Sequence, residues 1–132
     1  MNFVKIKPIL ICMLLIASPT YGATFEQHNC DDINDAKKCG GSCKPNNAQT
    51  VMDIKSSDKI LKMTLYKGHI IGTKILKCDM ESFASYTCYD DPRQAGYGKS
   101  RTYNTYKLDN KVLLIKQFDK ESNVLLGIYC GK

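Results

Sequence analysis

Gly98-Lys99-Ser100 are three letters of a phosphate-binding loop, in which backbone amides and a lysine cradle nucleotide phosphates. The full pattern requires a first glycine five residues before the second, and Arg93 stands there instead. The loop should also open a helix, whereas the β-favouring run RTYNTYKL follows directly. Nucleotide binding fails on both counts, and no cofactor is expected.

Other chemistry is equally sparse. Only two histidines, His28 and His69, could serve as general acid and base, with Glu81 and Lys99 or Arg101 as partners in a ribonuclease-like set. No G-x-S-x-G elbow marks a nucleophilic serine. Cys39-Gly40-Gly41-Ser42-Cys43 has zinc-ligand spacing, but no second close pair completes four ligands, so no metal is expected. Asp31, Asp32, Asn34 and Asp35 suggest calcium. An EF-hand counted from Asp32 then meets Ala36 and Lys37 where an oxygen ligand and a glycine belong, and helix capping explains the acids more simply. The residues point away from an enzyme.

The N-terminus indicates where the chain works. Lys5 and Lys7 precede a short apolar run from Ile9 to Ala17, followed by small residues up to Gly22 and Ala23. This is the order of a secretory signal peptide, with a run about half the ~20 residues a membrane span requires. Cleavage after Gly22 or Ala23 is expected, which leaves no stable membrane anchor. A chain starting at Thr24 keeps 109 of the 132 residues, and its net charge falls from +6 to +4. That charge favours solubility and does not by itself imply nucleic acid. Export also removes Cys12 and leaves six cysteines: Cys30, Cys39, Cys43, Cys78, Cys88 and Cys130. An even count in a short exported chain reads as a disulfide framework, in a secreted or periplasmic protein. Cys78 and Cys88 are close enough in sequence to face each other across adjacent strands, and Cys130 could reach Cys30 or Cys43. The absence of an N-x-[ST] acceptor fits a bacterial envelope protein.

Behind the expected signal peptide (residues 1–23), the organisation has two parts. Residues 24–49 are polar and cysteine-rich, with room for a short helix near residues 31–38 and few large apolar groups. Residues 50–132 show period-two alternation, as in ILKMTLY, where Leu61, Met63 and Leu65 share one face. Turns are expected at Lys67-Gly68, at Asp109-Asn110 and between Asp119 and Asn123. About six or seven strands result, a mostly β antiparallel meander, sandwich or small barrel packed with the N-terminal segment as one unit.

One stretch remains as a candidate binding surface. YDDPRQAGYGKSRTYNTY interleaves tyrosines with basic residues on a turn-rich loop, and tyrosine and arginine are enriched at protein interfaces. Arg93, Tyr97, Lys99, Arg101 and Tyr103 are the expected partner-binding residues; the plain alternative is a hairpin loop with tyrosines packed on the sheet. Asp90 and Asp91 beside this stretch rank nucleic acid below a protein partner. In size and architecture the chain is similar to small periplasmic inhibitors and immunity proteins, such as the β-barrel inhibitors of lysozyme. That likeness implies an inhibitor or immunity-type protein that blocks a hydrolase or toxin. The competing readings are a small secreted hydrolase using His28 and His69, and a small-ligand carrier. The carrier would need the eight strands that usually enclose a ligand.

Overall fold

The computed structural model describes residues 20–55, 59–82, 84–92, 94 and 97–132. Eight strands follow in chain order: β1 (Thr20–Cys30), β2 (Lys44–Lys55), β3 (Ile60–Lys67), β4 (Ile70–Ser82), β5 (Ser85–Asp90), β6 (Thr102–Asp109), β7 (Val112–Asp119) and β8 (Leu125–Gly131). A six-residue helix, α1 (Ile33–Lys38), lies between β1 and β2, and a single 3₁₀ turn, Tyr97–Lys99, lies between β5 and β6. Each strand pairs antiparallel with the next, and β8 pairs with β1, so the sheet closes into a barrel. The expected antiparallel β fold is present, with eight strands in place of six or seven.

The strand missing from the count is β1. Residues 24–49 supply most of β1, all of α1 and the first half of β2. Residues 1–19, which carry most of the expected signal peptide, lie outside the described residues. Because β1 begins at Thr20, a chain starting at Thr24 would still keep the β1–β2 register from the Thr24–Val51 pair onward.

Alternation along the strands builds two cores. Inside the barrel, Phe25, Met52, Leu61, Leu76, Tyr86, Leu108 and Leu113 are buried together. Cys78 and Cys88 face each other across β4 and β5 and join inside this core, as the sequence suggested. Outside the wall, α1 lies over β1, β7 and β8. There Ala36 packs with Leu114, Cys30, Cys39 and Cys130. The remaining disulfides are Cys30–Cys43 and Cys39–Cys130, so Cys130 takes neither partner expected for it. The reason is local. The helix ends at Cys39 in a left-handed conformation, φ 51°, with its sulfur bonded to Cys130 on β8, while the chain returns at Cys43 to Cys30 on β1. Three disulfides are typical of proteins of oxidising, extracytoplasmic compartments.

Turn chemistry follows the sequence with a one-residue offset at two hairpins. Lys67 pairs with Ile70, leaving Gly68-His69 as the connection, with Gly68 at φ 59°. Asp109 pairs with Val112, so Asn110 and Lys111 form the turn, both at positive φ as a I′ hairpin requires. After β7, Asp119 Oδ2 accepts from the Ser122 amide and hydroxyl, and the Asn123 N–H donates to the Asp119 carbonyl. Asp32 occupies the helix N-cap without a side-chain bond to the helix. Asp35 is held instead by the Ser42 N–H at 2.9 Å, and those hydrogen bonds lower its carboxyl pKa. A Cβ on Gly41 would fall 2.6 Å from that carboxylate, which leaves glycine as the residue that fits.

Candidate functional site at the open end of the barrel

In an up-and-down barrel, alternate connections lie at the same end. The α1 connection, the β3–β4 hairpin, the 91–101 loop and the β7–β8 turn therefore share one end of the molecule. Toward this end the inward-facing side chains change from apolar to polar. On β2 the inner row runs Met52, Thr50, Ala48, Asn46, and on β1 it runs Phe25, Gln27, Asn29. The result is an open cavity of about 500 Å³, walled by residues of every strand except β5. Its floor is Met63, Leu65, Ile115 and Tyr106. Its upper wall carries the carboxamides of Gln27, Asn29, Asn46, Asn104 and Gln117, together with Lys67 and Lys74.

One corner of the wall is built around Tyr106, which is 1% exposed. Asn104 Nδ2 donates to the Tyr106 hydroxyl at 3.0 Å. The Asn104 backbone N–H donates to Asp90 Oδ2 at 3.3 Å. Lys74 Nζ stands 3.6 Å from Asp90 Oδ1. Two acceptors here, Asp90 Oδ1 and Asn104 Oδ1, are buried and receive no hydrogen bond from the protein. Burial, and then the Asp90 charge, raise the Tyr106 pKa, so its hydroxyl remains a donor through the physiological range.

The tyrosines of the core also set an alkaline limit. Burial pushes Tyr86 up to about 12, whereas an unfolded tyrosine ionises near pH ~10. Between those values the folded chain binds more protons than the unfolded one, so stability falls as pH rises. This contribution is fully present below pH ~10 and is lost as pH passes about 12; for Tyr86 it amounts to about 3 kcal/mol. Tyr106 adds a loss in the same direction. Urea midpoints measured across this range should decline as phenolate absorbance appears; a flat profile would mean that both hydroxyls reach solvent.

Of the residues expected to bind a partner, Lys99, Arg101 and Tyr103 lie at this end. Lys99 and Arg101 are exposed. Their loop is fastened at both ends: the Ile75 N–H donates to Gln94 Oε1 at 2.6 Å, and the Lys120 N–H donates to the Arg101 carbonyl at 2.9 Å. Tyr103 behaves as the packed alternative. Its ring stacks on Phe118 with centroids 5.2 Å apart, and its hydroxyl donates to Asn123. Arg93 and the Tyr97 side chain lie outside the described residues. Sequence reasoning missed the cavity itself, because its amides read as ordinary surface positions.

The histidines do not meet in a site. His28 is buried on the outer wall beside the Cys39 and Cys130 sulfurs, with Nδ1 3.0 Å from the Glu26 carbonyl. His69 is exposed in the β3–β4 turn. The cysteine clusters that could hold a metal by proximity are committed to disulfides. Protein-family models, curated proteins and solved structures contain no match to the chain. The functional reading therefore stands on the geometry of the barrel mouth.

Proposed function

We propose that this is an exported binding protein that takes a small polar ligand in the mouth of its barrel. The observation that supports this most is the open cavity of about 500 Å³, set in a closed eight-stranded wall. Its volume lies within the roughly 300–1,000 Å³ of small-molecule sites, and eight strands are what a barrel needs to hold one small ligand. Five carboxamides line this mouth; Asn46 bonds Asn29 and the Ala48 N–H, and Asn104 bonds Tyr106, so the wall is held in place and presents polar groups to a polar ligand. Two measurements test the reading. N-terminal sequencing of protein recovered from the medium or periplasm should begin at Ala23 or Thr24. Thermal-shift screening of polar metabolites should find stabilising ligands whose effect is lost when Thr50→Leu and Gln117→Leu close the cavity. Ligands that stabilise wild type and this variant equally would place binding elsewhere.

A second reading, inhibition of a hydrolase or toxin, is favoured by the rim. Ile70 and Ile71 on one hairpin are 67% and 66% exposed, and Val124 and Leu126 at the β7–β8 turn are 56% and 55% exposed. These two hairpins are half a circumference apart in the strand order, on opposite sides of the mouth. With Lys99 and Arg101 they form a surface suited to a protein. Retention of one stoichiometric partner by the oxidised protein, abolished by Lys99→Ala with Arg101→Ala, would move the assignment to this reading.

A further inference from the structure

We infer that the ligand of the mouth is a saccharide bearing an acidic group, a sugar acid; this rests on the mouth being the binding site. The chemistry of a cavity wall mirrors what it holds. A carboxamide both donates and accepts through one planar group, and five of them, on β1, β2, β6 and β7, surround this cavity. A hydroxyl has the same dual character, so a ring of amides is matched by a molecule with several hydroxyls. A fatty chain would set methylenes against these amides and match none of them.

One corner of the wall is closed to a ligand: Asp90 Oδ1 and Asn104 Oδ1 accept no hydrogen bond from the protein but have almost no accessible surface, so ligand hydroxyls meet the other polar groups of the lining. The acidic group is read from the lysines of the mouth. Lys74 and Lys67 both line the mouth, and no carboxylate is among its described lining residues. Lys74 is already turned toward Asp90 at 3.6 Å, whereas Lys67 is exposed at the rim. An acidic substituent therefore belongs at Lys67, with the hydroxyls deeper, against the carboxamides of Gln27, Asn104 and Gln117. The floor of Met63, Leu65 and Ile115 then faces the C–H side of the sugar ring, and Tyr129 stands at the wall.

The test is a titration of ¹⁵N-labelled oxidised protein with glucuronic, galacturonic and mannuronic acids and their disaccharides, with glucose, acetate and decanoate as comparisons. At least one uronic acid should shift the amides of Thr50, Asn104, Gln117 and Tyr129. Glucose should bind the same place about tenfold more weakly, and acetate should leave those amides unmoved. Lys67→Ala and Asn104→Ala should each weaken the uronic acid about tenfold, the range for losing one charged or buried hydrogen bond. Lys67→Ala should do so without weakening glucose, a split that general loosening of the barrel would not produce. Acetate acting as strongly as the uronic acids would overturn the sugar, and glucose binding as tightly as the uronic acids would overturn the acidic group. Decanoate shifting these amides while every sugar fails would overturn the saccharide and leave the mouth as a ligand site. No shift from any probe, with no hit in the thermal screen, would overturn the mouth as a site and the inference with it.

Discussion

Replacing Cys39 and Cys130 together by alanine should lower unfolding stability by about 4.6 kcal/mol, more than removing either other disulfide. The Cys39–Cys130 bond joins residues 91 apart in sequence, against 13 for Cys30–Cys43 and 10 for Cys78–Cys88. The entropy a crosslink removes from the unfolded chain grows with the logarithm of that separation, which gives the two short bridges about 3 kcal/mol each. The long bridge has a second role. Helix α1 has six residues, too few to persist without tertiary contacts, and Cys39 at its end ties it to β8. Both cysteines must be changed at once: Cys130 Sγ lies 3.4 Å from Cys30 Sγ, so a lone thiol left by a single change would attack the neighbouring disulfide. For a domain whose total stability is about 5–15 kcal/mol, the loss should be plain in urea midpoints under oxidising conditions. A midpoint no lower than that of the Cys78/Cys88 double variant would show that the β1–β8 ladder and the packing of Ala36 hold the helix unaided.

How much the sequence revealed depends on which half of the barrel a residue faces. Strands β3 and β4 are legible because Leu61, Met63, Leu76 and Cys78 point into the apolar half, where alternation between apolar and polar residues is strong. Among the described side chains of β1, Ala23 and Phe25 reach that half; Gln27 and Asn29 face the mouth, and a polar side chain facing a wet cavity has the same sequence signal as one facing bulk solvent. The same ambiguity hid the strand and the site, since the residues that line the mouth are the ones that erase the period-two pattern. A usable trace was present in β2, where Asn46, Ala48, Thr50 and Met52 keep one phase while passing from polar to apolar. The cysteines divide similarly. Cys78 and Cys88 flank one short turn, so proximity in sequence decides their pairing. Cys30, Cys39, Cys43 and Cys130 converge on one spot, where the left-handed end of α1 decides between pairings that spacing leaves open.

Tyr106 joins the two halves, and its substitutions should separate them. Tyr106→Ala removes a buried ring from the main core, where it pairs across from Cys88 and Ile115, and should cost about 3–5 kcal/mol. The lower end is expected, because the space left would merge with the mouth cavity and fill with water. Tyr106→Phe keeps the ring and removes only the hydroxyl. It should cost about 1 kcal/mol, the net worth of one neutral hydrogen bond. Its effect on binding should be larger than its effect on folding. Without the hydroxyl, Asn104 Nδ2 loses its acceptor at 3.0 Å, and the amide is free to rotate out of its place in the wall. The Phe variant should therefore fold with a urea midpoint lowered by only about 0.5 M but bind the mouth ligand about tenfold more weakly, the ratio expected when one oriented hydrogen bond is lost. Tyr106→Phe with wild-type affinity would make Tyr106 a core residue alone and would leave Asn104 to be positioned by Asp90 through the backbone.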